Sequence, residues 1–294
     1  MVHRAAESGA DYAKIQGLRS SELVKRERFE AGVTDGNGRV TTLRRPFQQE
    51  YDRLSKLDLS DDDERWFVEE CSRAGIQSMI TAFTLGSVSR FAAAGFNAVK
   101  IASYDCKSVP LLREAEIFDK VFISTGASFD QEVERAAQIF RSGQAALLHC
   151  VTIYPTPLEE LNMRRMTWLR ELVPTVGFSD HTLYQTTGLR ASKLAMAIGA
   201  DVIERHFTVL PAEETRDGPV SIGPSQFREL RQFADLSLSD RLSVLEDEWG
   251  DWMTGLGTSR RDLTNVELMN RDYYSGRVAA WNDGSQIGSD GFPV

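Results

Sequence analysis

Residues 121–149 read VFISTGASFDQEVERAAQIFRSGQAALLH and contain one complete strand–helix–strand unit. The runs Val121–Ser124 and Ala145–His149 are short and almost uniformly apolar, as are strands of a parallel sheet that is covered on both faces. Between them, Ser128 and Gln131 form a predicted capping box, and apolar residues follow at helical spacing. This unit predicts a parallel α/β fold.

The same alternation recurs along the chain. Further strands are predicted at Tyr12–Gln16, Gln77–Ala82, Ala98–Ile101, Val176–Phe178 and Asp201–Glu204. Helical patterns occupy Val2–Glu7, Asp61–Ala74 and Thr186–Ile198. Repeated units of this length favour closure into a (β/α)₈ TIM barrel.

The predicted strands number seven, whereas a barrel needs eight. A helix at Val2–Glu7 precedes the first predicted strand, so we expect the first barrel strand to be missing. The apolar run at Gly276–Trp281, or a segment of a second subunit, is the candidate to fill its place. We expect a barrel domain over residues 1–235, with a C-terminal helix and turn-rich tail over residues 236–294 packed on it.

Composition narrows the class of protein. The 294 residues carry 34 Lys and Arg against 43 Asp and Glu, a formal net charge of −9, which disfavours binding to nucleic acid or to an anionic membrane. The three cysteines have no C-x-x-C spacing, which favours reduced thiols. We expect a cytoplasmic enzyme that does not bind a membrane.

Polar side chains end or follow every predicted strand, where a barrel places its active site. They are Lys14, Gln16, Thr81, Lys100, Ser103, Ser124, His149, Tyr154, Ser179, Asp180, His181, Glu204 and His206. Lysines beside serine-rich turns are typical of a phosphate site, although a lysine that forms a Schiff base is an alternative. His181 and His206 end consecutive strands, so they are either two ligands of a divalent metal or satisfied structural histidines. A hydrogen-bonded core role is favoured for His149.

Six strings in order resemble the sialic acid synthase family. They are AKIQ (13–16), KIAS (100–103), STG (124–126), HCVTIYPTP (149–157), GFSDHT (177–182) and ERHFT (204–208). The resemblance implies a barrel enzyme that condenses phosphoenolpyruvate with an N-acylated amino-sugar aldehyde to a nine-carbon 2-keto acid. It also implies a divalent metal ion, Mn²⁺ with Mg²⁺ or Co²⁺ as alternatives, and a homodimer.

The resemblance also implies roles by position. Lys14, Lys100, Tyr154 and Asp217 are expected to be catalytic, and His181 and His206 to hold the metal. Substrate binding is expected of Gln16, Thr81, Ser103, Ser124, Thr152, Ser179 and Asp180. Gln16 and Asp217 would face the sugar. The residues that would hold phosphoenolpyruvate are Lys14, Thr81, Lys100, Ser103, Ser124, Tyr154 and Ser179.

Three departures from the family pattern keep alternatives open. We expect the family's first strand, with its acid–base glutamate, to have no counterpart in this chain. Thr152 stands where the family usually has Asn or Ser, so it keeps a hydroxyl but not an amide. We also expect the family's C-terminal antifreeze-like domain to be absent, in which case Arg271 or Arg277 in the tail could supply the arginine of that domain. The alternatives to a synthase are a homologue that binds ligand without turnover and a metal-dependent hydrolase.

Overall fold

The computed structural model describes residues 1–282 and 285–293. Within these ranges the strands are β1 (Tyr12–Gln16), β2 (Val33–Thr34), β3 (Val40–Thr42), β4 (Gln77–Ala82), β5 (Ala98–Ile101), β6 (Val121–Ser124), β7 (Ala145–His149), β8 (Thr175–Asp180), β9 (Val202–Phe207), β10 (Ser221–Ile222), β11 (Ala279–Asn282) and β12 (Ser285–Gly288). Eight of them form one curled parallel sheet in the order β1-β4-β5-β6-β7-β8-β9-β10. The other four pair as the antiparallel hairpins β2-β3 and β11-β12.

The helices lie mainly between the strands of the sheet. They are α1 (Val2–Glu7), α2 (Arg28–Ala31), α3 (Phe47–Leu54), α4 (Asp61–Ala74), α5 (Ser87–Ala94), α6 (Val109–Ala115), α7 (Asp130–Ala137), α8 (Arg165–Leu172), α9 (Tyr184–Thr187), α10 (Arg190–Ala197), α11 (Pro224–Ala234), α12 (Leu238–Glu248) and α13 (Asn265–Tyr274). Among the described residues, no helix has the length and apolar character needed to cross a bilayer.

The sheet has an apolar core on each face. The larger core lies between the sheet and the helices and contains the β-strand residues Ile80, Ile101 and Ile123. The smaller core lies on the other face, where Phe122 and Leu148 pack with Ala98 of β5 and Ala146 of β7. Side chains alternate between the two faces along a strand, so the residue two positions after a member of the smaller core points to the same face. Beyond the core, these residues lie at the carboxyl ends of the strands. Those residues are polar, and they form the site described below.

Local sequence signals explain most element bounds. The predicted bounds of β1, β4, β5, β6 and β7 are confirmed. Helix α4 begins after Ser60, whose hydroxyl accepts a hydrogen bond from the Asp63 amide at 3.1 Å, and its acidic first turn suits the helix dipole. It ends at Gly75, which has the left-handed φ of 71° that glycine adopts without strain.

Three local predictions are corrected. The capping box at Ser128 and Gln131 is wrong, because α7 begins after Phe129 and the Glu132 carboxylate accepts from the Phe129 amide at 2.8 Å. The single helix predicted over Thr186–Ile198 is divided into α9 and α10 around Gly188, whose φ is 60°. Strands β8 and β9 extend beyond their predicted ends, because Ser179 and Asp180 of β8 pair with β9, and His206 and Phe207 of β9 pair with β10.

The sheet is barrel-like but open within the described residues. Strands β1 and β10 are its two edges, and each pairs with a neighbour on one side only. The part of the tail that the structure describes does not fill this opening, contrary to the prediction for Gly276–Trp281. Val278 instead forms an isolated bridge with Leu23, and the run that follows pairs with β12 in a separate hairpin. The tail therefore packs on the segment that follows β1.

Candidate active site

Five side chains from five strands meet on the inner face of the sheet. The Glu204 carboxylate contacts the Lys100 ammonium group and accepts a hydrogen bond from the Ser179 hydroxyl. Lys14 Nζ lies 3.4 Å from the other oxygen, Glu204 Oε1, and 3.5 Å from Thr81 Oγ1. Strands β5 and β9 are not neighbours in the sheet, so the curl of the sheet brings Lys100 to Glu204. We call these residues the strand-end cluster.

The strand-end cluster has an excess of positive charge. Burial opposes ionisation of Glu204, but Lys100 and Lys14 outweigh it and hold the pKa of this carboxyl well below its usual range. Burial lowers the pKa of Lys14, and Glu204 partly offsets that effect. Two ammonium groups then face one carboxylate in a mostly buried position. Such a site attracts an anion, because part of the lysine charge is left for a ligand.

Three hydroxyls at the ends of the adjacent strands are buried. Ser124 Oγ and Thr152 Oγ1 have no hydrogen-bond partner within the described residues, and Ser103 Oγ lies 3.0 Å from Cys150 Sγ. The loop beside them is closely packed, since a Cβ on Gly126 would lie only 2.6 Å from Cys150 Sγ. A buried hydroxyl without a partner loses the hydrogen bonds that water would give it. These hydroxyls therefore mark positions where a polar ligand would be stabilised.

Two histidines lie beside the cluster, at the ends of β8 and β9. The ring centroids of His181 and His206 are 5.6 Å apart. Tyr154 lies over His181, with its hydroxyl oxygen 2.9 Å from Nε2, and the Asp217 carboxylate is 3.7 Å from His206 Nδ1. Burial, with a smaller contribution from His206, lowers the pKa of His181 to about 3, and burial also lowers the pKa of His206. Both rings are therefore neutral at pH 7.

This pair fits a divalent metal ion. Neutral imidazole is the form that binds metal, and His181 Nδ1 is buried without a partner in the part of the chain that the structure describes. The same residues contain no group of three or more His, Cys, Asp or Glu side chains that could hold an ion. The protein would thus supply two nitrogen ligands, and the other ligands would come from substrate or water.

Some predicted site residues lie apart from the strand-end cluster. Asp180 is fully buried and pairs with Arg205 at 2.5 Å, so the structure places it in an internal network on the other face of the sheet. The Gln16 side chain is exposed at the end of β1, and the Asp217 side chain is half-exposed. The tail arginines are already paired, Arg271 with Glu132 and Arg277 with Glu50.

Glu204 was predicted at a strand end but without a binding role. The alternation of side chains along β9 indicates that Glu204 lies on the same face as His206, because residues two apart in a strand point to the same face. Glu204 is two residues before His206, and Ser179 is two residues before His181. The same alternation puts Asp180 on the opposite face from both of its neighbours.

Comparison with known proteins agrees with this arrangement. A model of the NeuB family matches residues 1–237. The chain belongs to the NeuB family. The matched region of this NeuB chain contains all five residues of the strand-end cluster and both histidines, and it ends before α12 begins.

Individual relatives of this NeuB chain span most of it. It is 32% identical over 254 residues to the N,N'-diacetyllegionaminic acid synthase of Legionella pneumophila, an alignment that covers 83% of this chain and 67% of that protein. It is 30% identical over 236 residues to an uncharacterised protein of Methanocaldococcus jannaschii, covering 78% and 63%. The chain thus spans about two thirds of the length of these curated relatives.

Solved structures support the fold. The N-acetylneuraminic acid synthetase of Leptospira borgpetersenii, determined in complex with citrate, superposes with a TM-score of 0.65 at 23% identity, covering 93% of this chain and 84% of that one. A phospho-2-dehydro-3-deoxyheptonate aldolase of Thermotoga maritima superposes with a TM-score of 0.54 at 14% identity. The NeuB chain therefore has the α/β architecture of these enzymes.

Proposed function

We propose that this chain is a nonulosonate synthase, which condenses phosphoenolpyruvate with an N-acylated amino-sugar aldehyde and releases phosphate. The observation behind the proposal is the strand-end cluster, in which two lysines share one carboxylate beside unpaired buried hydroxyls. Curated relatives in the family are synthases of N,N'-diacetyllegionaminic, pseudaminic and N-acetylneuraminic acid 9-phosphate type. Both facts support a synthase with an anionic substrate.

Binding of phosphoenolpyruvate is the first step. Lys14 and Lys100 supply charge to its phosphate and carboxylate, and the Ser124 hydroxyl supplies a directed hydrogen bond. Glu204 contacts both ammonium groups, which orients them before the ligand arrives. Because the lysines are held in place, little reorganisation is required when the anion binds.

The reaction then needs no covalent bond to the enzyme. C3 of phosphoenolpyruvate attacks the aldehyde carbon and forms the new C–C bond, and water adds to the resulting cationic C2. Cleavage of the C2–O bond then releases phosphate with the former bridging oxygen, and the oxygen of the added water becomes the C2 carbonyl. One proton of the water ends on the hydroxyl formed from the aldehyde oxygen, and the other leaves with phosphate. The lysines and hydroxyls contribute by positioning and charge stabilisation, so a Schiff base is unnecessary.

His181 and His206 are the residues that would hold a divalent ion, Mn²⁺ or alternatively Mg²⁺ or Co²⁺. A bound divalent ion supplies charge that polarises the aldehyde oxygen. Tyr154, with its hydroxyl 2.9 Å from His181 Nε2, orients that ring. We expect His181→Ala to weaken Mn²⁺ binding by at least tenfold in calorimetry. Equal Mn²⁺ affinity in the wild type and in the His181→Ala, His206→Ala double variant would contradict the metal assignment.

Phosphoenolpyruvate binding by calorimetry tests the main proposal. Lys100→Met should weaken binding about tenfold or more, because a charge-assisted hydrogen bond contributes about 1.5–3 kcal/mol. Lys120→Met is the matched control, since the one bond of Lys120 Nζ within the described ranges goes to the Gly143 carbonyl, at 3.3 Å, outside the cluster. The aldehyde substrate is then identified by phosphate release with a panel of N-acylated amino sugars, free and phosphorylated. Equal affinity for phosphoenolpyruvate in the wild type, Lys100→Met and Lys120→Met would overturn the proposal.

A further inference from the structure

The C-terminal helix α13 contacts three loops at the carboxyl edge of the sheet. Its Asn270 side chain donates to the Thr152 carbonyl at 2.8 Å, and its Arg271 side chain donates to the Ala127 carbonyl at 2.7 Å. The Tyr274 ring stacks on Tyr104, with centroids 4.7 Å apart and planes 13° apart. These loops follow β7, β6 and β5, and they carry the hydroxyls of the proposed anion site. Helix α13 lies outside the region matched by the family model.

Arg271 is held firmly by the first turn of α7. Its guanidinium group pairs with both carboxylate oxygens of Glu132, at 2.8 and 2.5 Å, and lies 4.6 Å from the centre of the Phe129 ring. The side chains of Arg271 and Glu132 are only 14% and 18% exposed. Because the fork of a guanidinium is rigid, this pairing aims the remaining N–H of Nη1 at the Ala127 carbonyl.

The loop that receives this hydrogen bond is in an unfavourable conformation. Ala127 has a φ of 50°, in the left-handed region that a residue with a Cβ rarely adopts. Ala127 directly follows the Ser124–Gly126 stretch, where Gly126 packs on Cys150. The next residue, Ser128, bonds to the Ser103 carbonyl at 2.9 Å. The shape of this loop thus sets the relative positions of the hydroxyls after β5 and β6, and it requires support from outside the loop.

We infer that Arg271 is a positioning residue, which holds the loop after β6 in its left-handed form and so preorganises the anion site. The inference rests on the proposed function for the identity of the anion, phosphoenolpyruvate. Arg271 lies outside the region matched by the family model. We assign it a role through its hydrogen bond to the Ala127 carbonyl and not through contact with the substrate. This differs from the expectation that a tail arginine contacts the sugar.

The experiment compares Arg271→Met with a matched control, Arg90→Met. Arg90 also pairs with a buried glutamate, Glu64, and also lies 4.6 Å from a phenylalanine ring. It is on α5, and within the described residues its side chain bonds to Asp61 and Glu64 of α4 rather than to a strand-end loop. We expect Arg271→Met to speed amide hydrogen exchange at residues 124–128 by at least tenfold and to weaken phosphoenolpyruvate binding by at least tenfold. Arg90→Met should leave both quantities within twofold. If Arg271→Met does not fold, Arg271→Lys, which keeps one ionic contact to Glu132, replaces it.

A second arm separates positioning from general stabilisation. Ala127→Gly removes the penalty of the left-handed conformation, because glycine adopts positive φ readily. In the Ala127→Gly background, Arg271→Met should therefore weaken phosphoenolpyruvate binding by threefold or less. The inference is overturned if exchange at residues 124–128 is unchanged by Arg271→Met, if Arg90→Met has the same effect, or if Ala127→Gly gives no relief. If the wild type fails to bind phosphoenolpyruvate, the proposed function falls, whereas the exchange data still decide the role of Arg271.

Discussion

Removing the charge of Arg205 would leave the Asp180 carboxylate buried without its ionic partner. Asp180 Oδ1 lies 2.5 Å from Arg205 Nη1, and both side chains are fully buried. The carboxylate also accepts hydrogen bonds from the Thr182 amide at 2.9 Å, the Thr182 hydroxyl at 2.8 Å and the Ser192 hydroxyl at 2.6 Å. Arg205 is less well satisfied, because its Nε and Nη2 have no partner in the described part of the chain.

These contacts set the expected magnitudes. Loss of one partner from a buried ion pair costs about 3–5 kcal/mol. Arg205→Met should lower the free energy of unfolding by about 3 kcal/mol, since three neutral donors still stabilise Asp180. Asp180→Asn should lower it by about 5 kcal/mol, since this change leaves a buried guanidinium group with little compensation. The double variant should be less destabilised than the sum of the single variants, by about 2 kcal/mol or more.

Urea denaturation at pH 7 measures these free energies of unfolding, with the m-value as a check that the transition stays two-state. Burial tends to raise the pKa of Asp180, but Arg205 and the three hydrogen bonds outweigh it and lower the pKa. Stability from this group is therefore present above the unfolded pKa of about 3.9 and lost as the pH falls through the folded value. In Arg205→Met the folded pKa rises, so the deficit relative to wild type should narrow on acidification. Additive single-variant costs, or a pH-independent deficit, would refute this reasoning.

Three further predictions concern stability. Burial lowers the pKa of His149 to about 3, whereas the unfolded chain takes up this proton near pH 6.5, so acidification should cost about 3 kcal/mol of stability by pH 4. His149→Gln should show a correspondingly shallower pH dependence in urea denaturation. Gly126→Ala, with its Cβ 2.6 Å from Cys150 Sγ, should lower stability by about 1–3 kcal/mol in thermal melts, whereas Gly36→Ala, with nothing within 4 Å, should be neutral. Lys193→Met should cost only about 1–2 kcal/mol by urea denaturation, because its two half-exposed carboxylate partners, at 2.7 and 2.6 Å, return to water. A loss as large as that of Arg205→Met would contradict this explanation.

Local sequence determined much of the secondary structure. Short apolar runs predicted the bounds of β1 and β4–β7, because a strand of a parallel sheet that is buried on both faces is apolar at nearly every position. The serine cap and acidic turn of α4 are also purely local signals. The capping box predicted at Ser128 failed for a tertiary reason, since this hydroxyl bonds to the distant Ser103 carbonyl.

Much of the site was also accessible from sequence. The apolar runs Ala98–Ile101 and Asp201–Glu204 placed Lys100 and His206 at strand ends, and strand ends of a parallel sheet share one edge. Alternation within a strand could have separated Asp180 from Ser179 and added Glu204 to the cluster. These inferences need only the period of a strand and the direction of the sheet.

The partners of the site residues were decided only by the tertiary structure. The contact between Lys100 and Glu204 joins β5 to β9 across the sheet, and the bond from Arg271 to the Ala127 carbonyl joins residues 144 positions apart. Neither contact can be predicted from a local sequence pattern, because the hydrophobic period shows on which face of an element a residue lies but not which residue it contacts. Those contacts depend on the curl of the sheet and on the docking of α13, and both result from the packing of the whole chain.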